Sequence, residues 1–329
     1  MITPLRLVCP YCRHNLTAQT DALRCDSCQR DFPVIAGIPD LRVAPDPWID
    51  VIADRAKGIA VGAQAAPGLE GAVREYWRMT PKTGTNDAER HTDHVLHAVA
   101  RTREWVTNLQ PTPVPGEAWL DLGCGTADLT CAVPEGVEVT GLDVAFRWLV
   151  VATRRLTEEG RSGPLICGNA EALPFPSGSF DRVVALGTLE QCQDLNSVLS
   201  EVRRVLRPGG RFHARSSNRF TLLSEPHVGI WGVGFVPRAV ADRYVRWRGG
   251  GGYQHHWPHS AAELHRALKR AGFVQTRVLA SRMLGAERNR LPGQLSHLAP
   301  AYDLLRRTPL IRQVARTFAP LLDVEGVVL

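Results

Sequence analysis

No run of 18 or more apolar residues occurs in this 329-residue sequence, so no membrane-spanning helix is expected. An apolar leader is lacking too. Pro4 and Arg6 interrupt the N-terminus, and Cys9 arrives before an apolar core could form, so a cytoplasmic location is the default expectation. There is no internal repeat and no low-complexity tract. Nor is there a block of like charge. The formal net charge is +6, mostly from arginine spread along the chain, which permits nucleic-acid binding without pointing to it.

What is present fits a soluble globular protein: 44% hydrophobic and 22% charged residues, enough for one good-sized domain plus a small one. Four of the eight cysteines lie within residues 9–28, while Cys124, Cys131, Cys167 and Cys192 are scattered. In a reducing compartment the clustered set reads as metal ligands rather than disulfides.

Cys9 and Cys12 form one CxxC pair and Cys25 and Cys28 a second, with twelve residues between them. Two such turns on facing hairpins aim four thiolates at one point, a tetrahedral cage that suits Zn²⁺. Four protein ligands leave no position open for a substrate, so a structural rather than catalytic zinc is expected. Arg13, His14, Arg24 and Arg30 stand beside the ligands and could offset the cage's negative charge. The stretches "CPYC", "LRCDSCQRDFPV" and "GIPDL" resemble the small zinc-ribbon family that includes the accessory subunit of tRNA and protein methyltransferases. That resemblance implies a few short strands around a metal, acting as a platform for a methyltransferase domain.

Residues 43–72 have linker composition ("APDPW", "GAQAAPG"), which places a domain boundary there. Glu70 to Asn108 is helical in pattern, with Val95, Leu96, Val99, Trp105 and Val106 at helical spacing, and "PTPVPGE" ends it. Tyr76, Trp77, His91, Asp93 and His94 sit in this segment. They read either as a packed helix with a wet face or as a lid that brings an aromatic ring and a histidine to a site.

"AWLDL" is a short apolar strand running into Gly123-Cys124-Gly125 and a helix start, a turn that lets backbone approach a ligand. Eighteen residues beyond Gly125, the strand "VEVTGLD" ends in Asp143, placed to bond ribose hydroxyls. "LICGN", "RVVAL" (ending at Leu186) and "RFHARSS" follow as strands, separated by the amphipathic helices "FRWLVVATRRLTEEG" and "DLNSVLSEVRRVLRPGG". In the second of these helices, Leu206 closes the apolar face and Pro-Gly-Gly stops it. The alternation predicts a doubly wound α/β sheet.

A nicotinamide-binding domain shares the glycine turn and the acidic strand end. Three details differ from it: "DLGCGTA" lacks GxGxxG, "NAEALPFPSGSFD" follows the third strand, and "VRRVLRPGGRF" leads into the fifth. Together they resemble the class I S-adenosylmethionine (SAM)-dependent methyltransferases, in the branch of the ubiquinone and menaquinone enzymes, over roughly residues 112–218. The resemblance implies a seven-stranded Rossmann-like sheet. It assigns Asp121, Gly123 and Gly125 to the methionine part of the cofactor, Asp143 to the ribose, Asn169 and Ala170 to the adenine, and Leu186 to the cleft, with Val144 as a further cofactor-binding residue. Two departures stand out. Asn169 replaces the usual Asp, its carbonyl still able to accept from the adenine amino group. Gln191 stands where Leu-Glu-His would place a histidine.

The expected organisation is therefore a zinc ribbon over 1–42, a linker and helical lid over 43–111, and a methyltransferase domain over 112–329. A substrate-shaping insertion lies at about 219–259. Methyl transfer needs positioning and water exclusion, and a base only when the acceptor must first lose a proton. The catalytic candidates are Tyr76, His91, His94, Asn218, His227, His255 and His256, with Trp231 and Tyr253 as further pocket residues. Gly249 to Gly252 suggest a mobile loop. His255, His256 and His259 lack a completing carboxylate or cysteine and read as a lid cluster rather than a second metal site. Ser260 and Glu263 form a capping box for a helix closed by Gly272, and "LLDVEGVVL" reads as the final antiparallel strand. A small-molecule acceptor, lipid-like or a natural product, is the leading expectation. An RNA methyltransferase gripping nucleic acid through the ribbon, and a non-catalytic scaffold, are the alternatives.

Overall fold

The computed structural model describes residues 6–80, 85–288, 299–306 and 308–329. Pro4, used above in reading the N-terminus, and the Pro81-Lys82-Thr83 end of the aromatic stretch lie outside them. The chain divides into two compact units, Met1–Val183 and Val184–Leu329.

The first unit opens with a four-stranded antiparallel ribbon, in the order β1 (Thr17–Ala18), β2 (Ala22–Cys25), β3 (Arg30–Ile35), β4 (Ile38–Pro39). Tyr11 stacks on Phe32, and the Arg30 guanidinium covers the Tyr11 ring at 4.2 Å. Four helices follow: α1 (Val51–Gln64), α2 (Gly68–Arg78), α3 (Thr85–Leu96) and α4 (Ala98–Val106). Then come β5 (Ala118–Leu122), α5 (Asp128–Ala132), β6 (Glu138–Asp143), α6 (Phe146–Glu158), β7 (Leu165–Cys167) and β8 (Phe180–Leu186), whose last residues enter the second unit. β5, β6 and β7 pair in parallel, with Leu120 opposite Thr140 and Asp143 opposite Cys167.

The second unit continues with α7 (Leu195–Val205), β9 (Leu206–Ser217), α8 (Arg238–Trp247), α9 (Ala261–Arg270), β10 (Val274–Ala280) and β11 (Leu321–Val327). β11 lies antiparallel between β9 and β10. The large sheet thus runs β10-β11-β9-β8-β5-β6-β7, a seven-stranded mixed sheet with helices between its parallel strands, which is a Rossmann-like methyltransferase arrangement. The Ser260–Glu263 capping box is present.

Two expectations are corrected. The stretch 43–72, read as a linker, contains the 14-residue α1, with Asp50 accepting from the Ile52 and Ala53 amides as its N-cap. Its small residues serve close helix packing. A Cβ added at Gly58 would fall 2.7 Å from the Phe146 ring, and one at Gly62 would fall 3.2 Å from Val150. Leu206 does not end the apolar face of α7. It is the C-cap, with extended backbone, and opens β9, so Pro208-Gly209-Gly210 belong to the strand.

A buried charge network ties α1 to α6. Arg42 bonds Asp40 at 2.6 Å and Asp54 at 2.6 Å, while Arg147 bonds Asp54 at 2.7 Å and Asp46 at 2.8 Å. Asp54 also accepts from the Phe146 amide at the start of α6.

Candidate functional site

At the end of β5 the chain turns through Gly123 (φ 77°) and Gly125 (φ 48°) into α5, and Ala127 there is also left-handed at φ 59°. Nothing lies within 4 Å of where a Gly125 Cβ would stand, so this turn leaves open space beside its backbone. The Asp143 carboxylate orients it, accepting from the Gly125 amide at 2.8 Å through one oxygen and from the Ala145 amide at 2.8 Å through the other. Each oxygen keeps a second lone pair for a ligand hydroxyl.

Acid crowds this turn. Burial, then the neighbouring charges of Asp128 and Asp143, push the Asp121 carboxyl well above the usual carboxylate range. Burial likewise raises Asp143. The turn is thus short of positive charge.

The ribbon grips the loop after β7. The Val8 amide donates to the Pro174 carbonyl (3.0 Å), Arg13 Nη1 to the Leu173 carbonyl (2.7 Å) and the Leu41 amide to the Cys167 carbonyl (2.7 Å). Asp40 bridges in parallel to Cys167, extending the sheet edge. The Val43 and Ala44 amides donate to Asn169 Oδ1 at 2.8 and 3.1 Å. The expectation that this carbonyl accepts from an adenine amino group is therefore corrected, because both of its lone pairs are taken. Val144 is similarly engaged, its carbonyl accepting from Arg42.

The Sγ atoms of Cys9, Cys12, Cys25 and Cys28 lie within 4.8 Å of one another, with Cys9–Cys28 at 3.6 Å and Cys12–Cys25 at 3.4 Å. Tetrahedral ligands at the Zn–S bond length would stand about 3.8 Å apart, so the donor set fits zinc. Of the four basic neighbours, Arg30 bonds the Cys28 thiol and lowers it, whereas Cys12 is lowered to about 6 chiefly by the His14 backbone amide. Arg13 is spent on the Leu173 carbonyl and Arg24 on Asp31, because both lie beside better acceptors than the cage.

In the second unit a different group assembles. His227 Nδ1–H donates to Glu225 Oε1 at 2.7 Å, while its Nε2 receives the Gln191 amide at 2.8 Å. These partners assign the proton to Nδ1 and the lone pair to Nε2. Burial opposes protonation of His227, but the Glu225 carboxylate outweighs it and raises the pKa. The His256 ring stacks on it at 4.3 Å and is held to about 4, by burial and then by the His227 charge. Next to them lies a cavity of about 220 Å³ whose lining includes Arg219, Arg238, Tyr253, His256 and Trp257. The Tyr253 hydroxyl is buried without a hydrogen-bond partner among the described residues. Glu190, buried, accepts from the hydroxyls of Ser216 (2.7 Å) and Ser217 (2.9 Å).

The structure thus brings Asp121, Gly123, Gly125 and Asp143 together; Ala170 is half-buried in the loop after β7, and in the second unit Leu186 is half-buried at the end of β8. It groups His227, His256 and Tyr253 as well. Other candidates have structural duties. The Asn218 carboxamide donates to the Thr317 and Ala319 carbonyls, and the Tyr76 ring stacks on Trp148 at 4.0 Å. His91 is exposed and stacks on Trp77; His94 is exposed, and His255 is half-buried. Sequence reasoning missed Glu225 as the partner of His227. A carboxylate two residues before a histidine was its only local signal.

Residues 120–214 match the family described as "Methyltransferase domain". A demethylmenaquinone methyltransferase of Anoxybacillus flavithermus is 39% identical over 113 residues, covering 33% of this chain and 48% of that protein. The Lactococcus lactis protein of the same name is 44% identical over 101 residues, covering 29% of this chain and 40% of that one. The chain thus spans less than half the length of these relatives. Among solved structures, Haemonchus contortus phosphoethanolamine N-methyltransferase 2 in complex with SAM aligns at a TM-score of 0.47 and 17% identity, over 71% of this chain and 52% of that one. The family match falls on the glycine turn, the acidic end of β6 and the strands that carry them, so residues 120–214 are similar to a methyltransferase domain of the class I SAM-dependent kind.

Proposed function

We propose that the protein transfers a methyl group from SAM to a small-molecule acceptor, with a structural zinc in the ribbon. The observation that carries this is the glycine turn held by Asp143 beside the buried, charge-starved Asp121. When bound, SAM supplies an electrophilic methyl carbon and a neutral thioether leaving group. Asp121 and Asp128 offer the negative field its cationic end requires, and Gly123 and Gly125 let backbone approach it. Asp143, beside Val144, holds the ribose hydroxyls. Asn169 meets the adenine through its Nδ2–H, a donor to a ring nitrogen, with Ala170 against the base and Leu186 toward the cleft. The four thiolates of Cys9, Cys12, Cys25 and Cys28 hold Zn²⁺, so that the ribbon keeps its grip on the loop carrying Asn169.

In the second unit the cavity walls suit a flat ring bearing oxygen: Tyr253 and Trp257 supply aromatic surface, and Arg219 and Arg238 share one carboxylate, Glu263, at 3.4 Å each, leaving net positive charge. His227 takes the acceptor's proton at Nε2 once the acceptor displaces the Gln191 amide from that lone pair, its imidazolium stabilised by Glu225. The names of the sequence relatives make quinone-type acceptors the first class to test. Calorimetry with S-adenosylhomocysteine, followed by a methyl-acceptor screen, tests the reading. Absence of binding at about millimolar ligand overturns it.

A further inference from the structure

The second unit also carries an exposed aromatic and arginine surface that the cavity and the histidines do not use. Leu222 (57% exposed), Trp231 (55%), Phe235 (46%) and Trp247 (76%) all face solvent. They are contiguous. Trp231 Nε1 donates to the Leu222 carbonyl at 3.0 Å, and the Trp231 and Phe235 ring centroids are 6.3 Å apart. The Tyr244 hydroxyl donates to the Trp231 carbonyl at 2.9 Å, and the Tyr244 and Trp247 rings lie 6.1 Å apart.

Net charge on this surface is positive. Arg243, Arg246 and Arg248 are exposed, and Arg248 reaches the Tyr244 hydroxyl at 3.1 Å. Residues 219–259 hold five arginines and two acids. Of the acids, Glu225 is buried against His227, and Asp242 is tied to Arg246 at 2.8 Å and to the Tyr253 amide at 2.7 Å. Isolated exposed apolar residues need no explanation, but a connected set of two indoles, a phenyl ring and a leucine rimmed by arginine does. Indoles favour the headgroup layer, where one edge is apolar and the other wet, and arginines favour phosphate. Among the described residues no helix is long and apolar enough to cross a membrane, so such a surface would lie on a bilayer rather than span it.

We propose that this surface docks on an anionic phospholipid bilayer, with Trp231 and Trp247 in the headgroup layer and Arg243 and Arg248 against the phosphates. Basic residues near such a surface are drawn to anionic headgroups while the indoles seat in the interface, so the basic rim and the apolar centre are both needed. The inference does not depend on the proposed reaction, and its failure would leave that reading intact.

The test is co-sedimentation of the full chain with vesicles, either pure phosphatidylcholine or two-thirds phosphatidylcholine and one-third phosphatidylglycerol. At least about tenfold stronger binding to the anionic vesicles is expected, and it should weaken as salt rises. The double variants W231E/W247E and R243E/R248E should each lose about tenfold of that binding, with circular dichroism and S-adenosylhomocysteine affinity unchanged. Equal binding to both vesicles, no binding, or retention by either double variant overturns the proposal. So does self-association in light scattering that W231E/W247E abolishes, which would make the surface a contact between copies.

Discussion

The glycine-turn side of the first unit and the 219–259 segment of the second handle charge in opposite ways. In the first, buried carboxylates are matched to backbone amides and arginines: Asp143 to Gly125 and Ala145, Asp54 to Arg42 and Arg147. Asp121 is the exception, crowded by Asp128 and Asp143 and pushed toward neutrality. In the second, two imidazoles are stacked and only one is set against a carboxylate, so that Glu225 raises His227 while burial and then the His227 charge hold His256 to about 4. One region is a frame of buried carboxylates, most of them bonded to amides or arginines. In the other, two stacked imidazoles are pushed to opposite sides of the ordinary histidine value.

Breaking the frame should have the largest effect. Asp143→Ala removes the acceptor of two amides and the proposed ribose ligand, so calorimetry should show S-adenosylhomocysteine affinity falling by about 100-fold or more. Asp54→Asn leaves two buried guanidiniums short of charge and should cost about 3–5 kcal/mol in chemical denaturation. A loss below 1 kcal/mol would mean that the network does not hold α1 to α6. Zinc chelation or Cys25→Ser should release the loop carrying Asn169, weakening S-adenosylhomocysteine about tenfold. His227→Gln should leave that affinity unchanged.

The second region should respond in rate and pH instead. His227→Gln should lower kcat about 10²–10³-fold. In the intact protein the rate should rise with pH through a pKa above the ordinary histidine value, since only the neutral imidazole accepts a proton. Glu225→Gln should move that limb to lower pH. The smallest effect sharpens the exception in the frame. A carboxyl with a raised folded pKa binds more protons folded than unfolded, so its contribution to stability falls as pH rises through that range. Asp121→Asn should therefore stabilise the ligand-free protein at pH 8 by about 1 kcal/mol, read by thermal denaturation, while weakening cofactor binding.

Much of the first region was legible because its residues act through spacing and backbone. A CxxC pair aims its thiolates by local geometry, a GxG after a strand makes an open turn, and an acid ending the next parallel strand must stand beside that turn. Helix α1 was not legible. Its Gly58 and Gly62 look like linker until Phe146 and Val150 are seen packed against them. Nor was the engagement of the Asn169 carbonyl, which depends on where residues 43 and 44 return to the sheet.

The sequence by itself determined the alternation of strands and helices, the four-thiolate cluster and the glycine turn with Asp143. Those follow from period, spacing and strand order, which are local properties. Only the tertiary structure decided that the ribbon clasps the loop after β7, that Gln191 and Glu225 set the tautomer of His227, and that the aromatic residues after β9 form one exposed face. These pairings join residues far apart in the chain or lying in irregular segments. No periodicity encodes them, and only packing brings the partners within hydrogen-bonding reach.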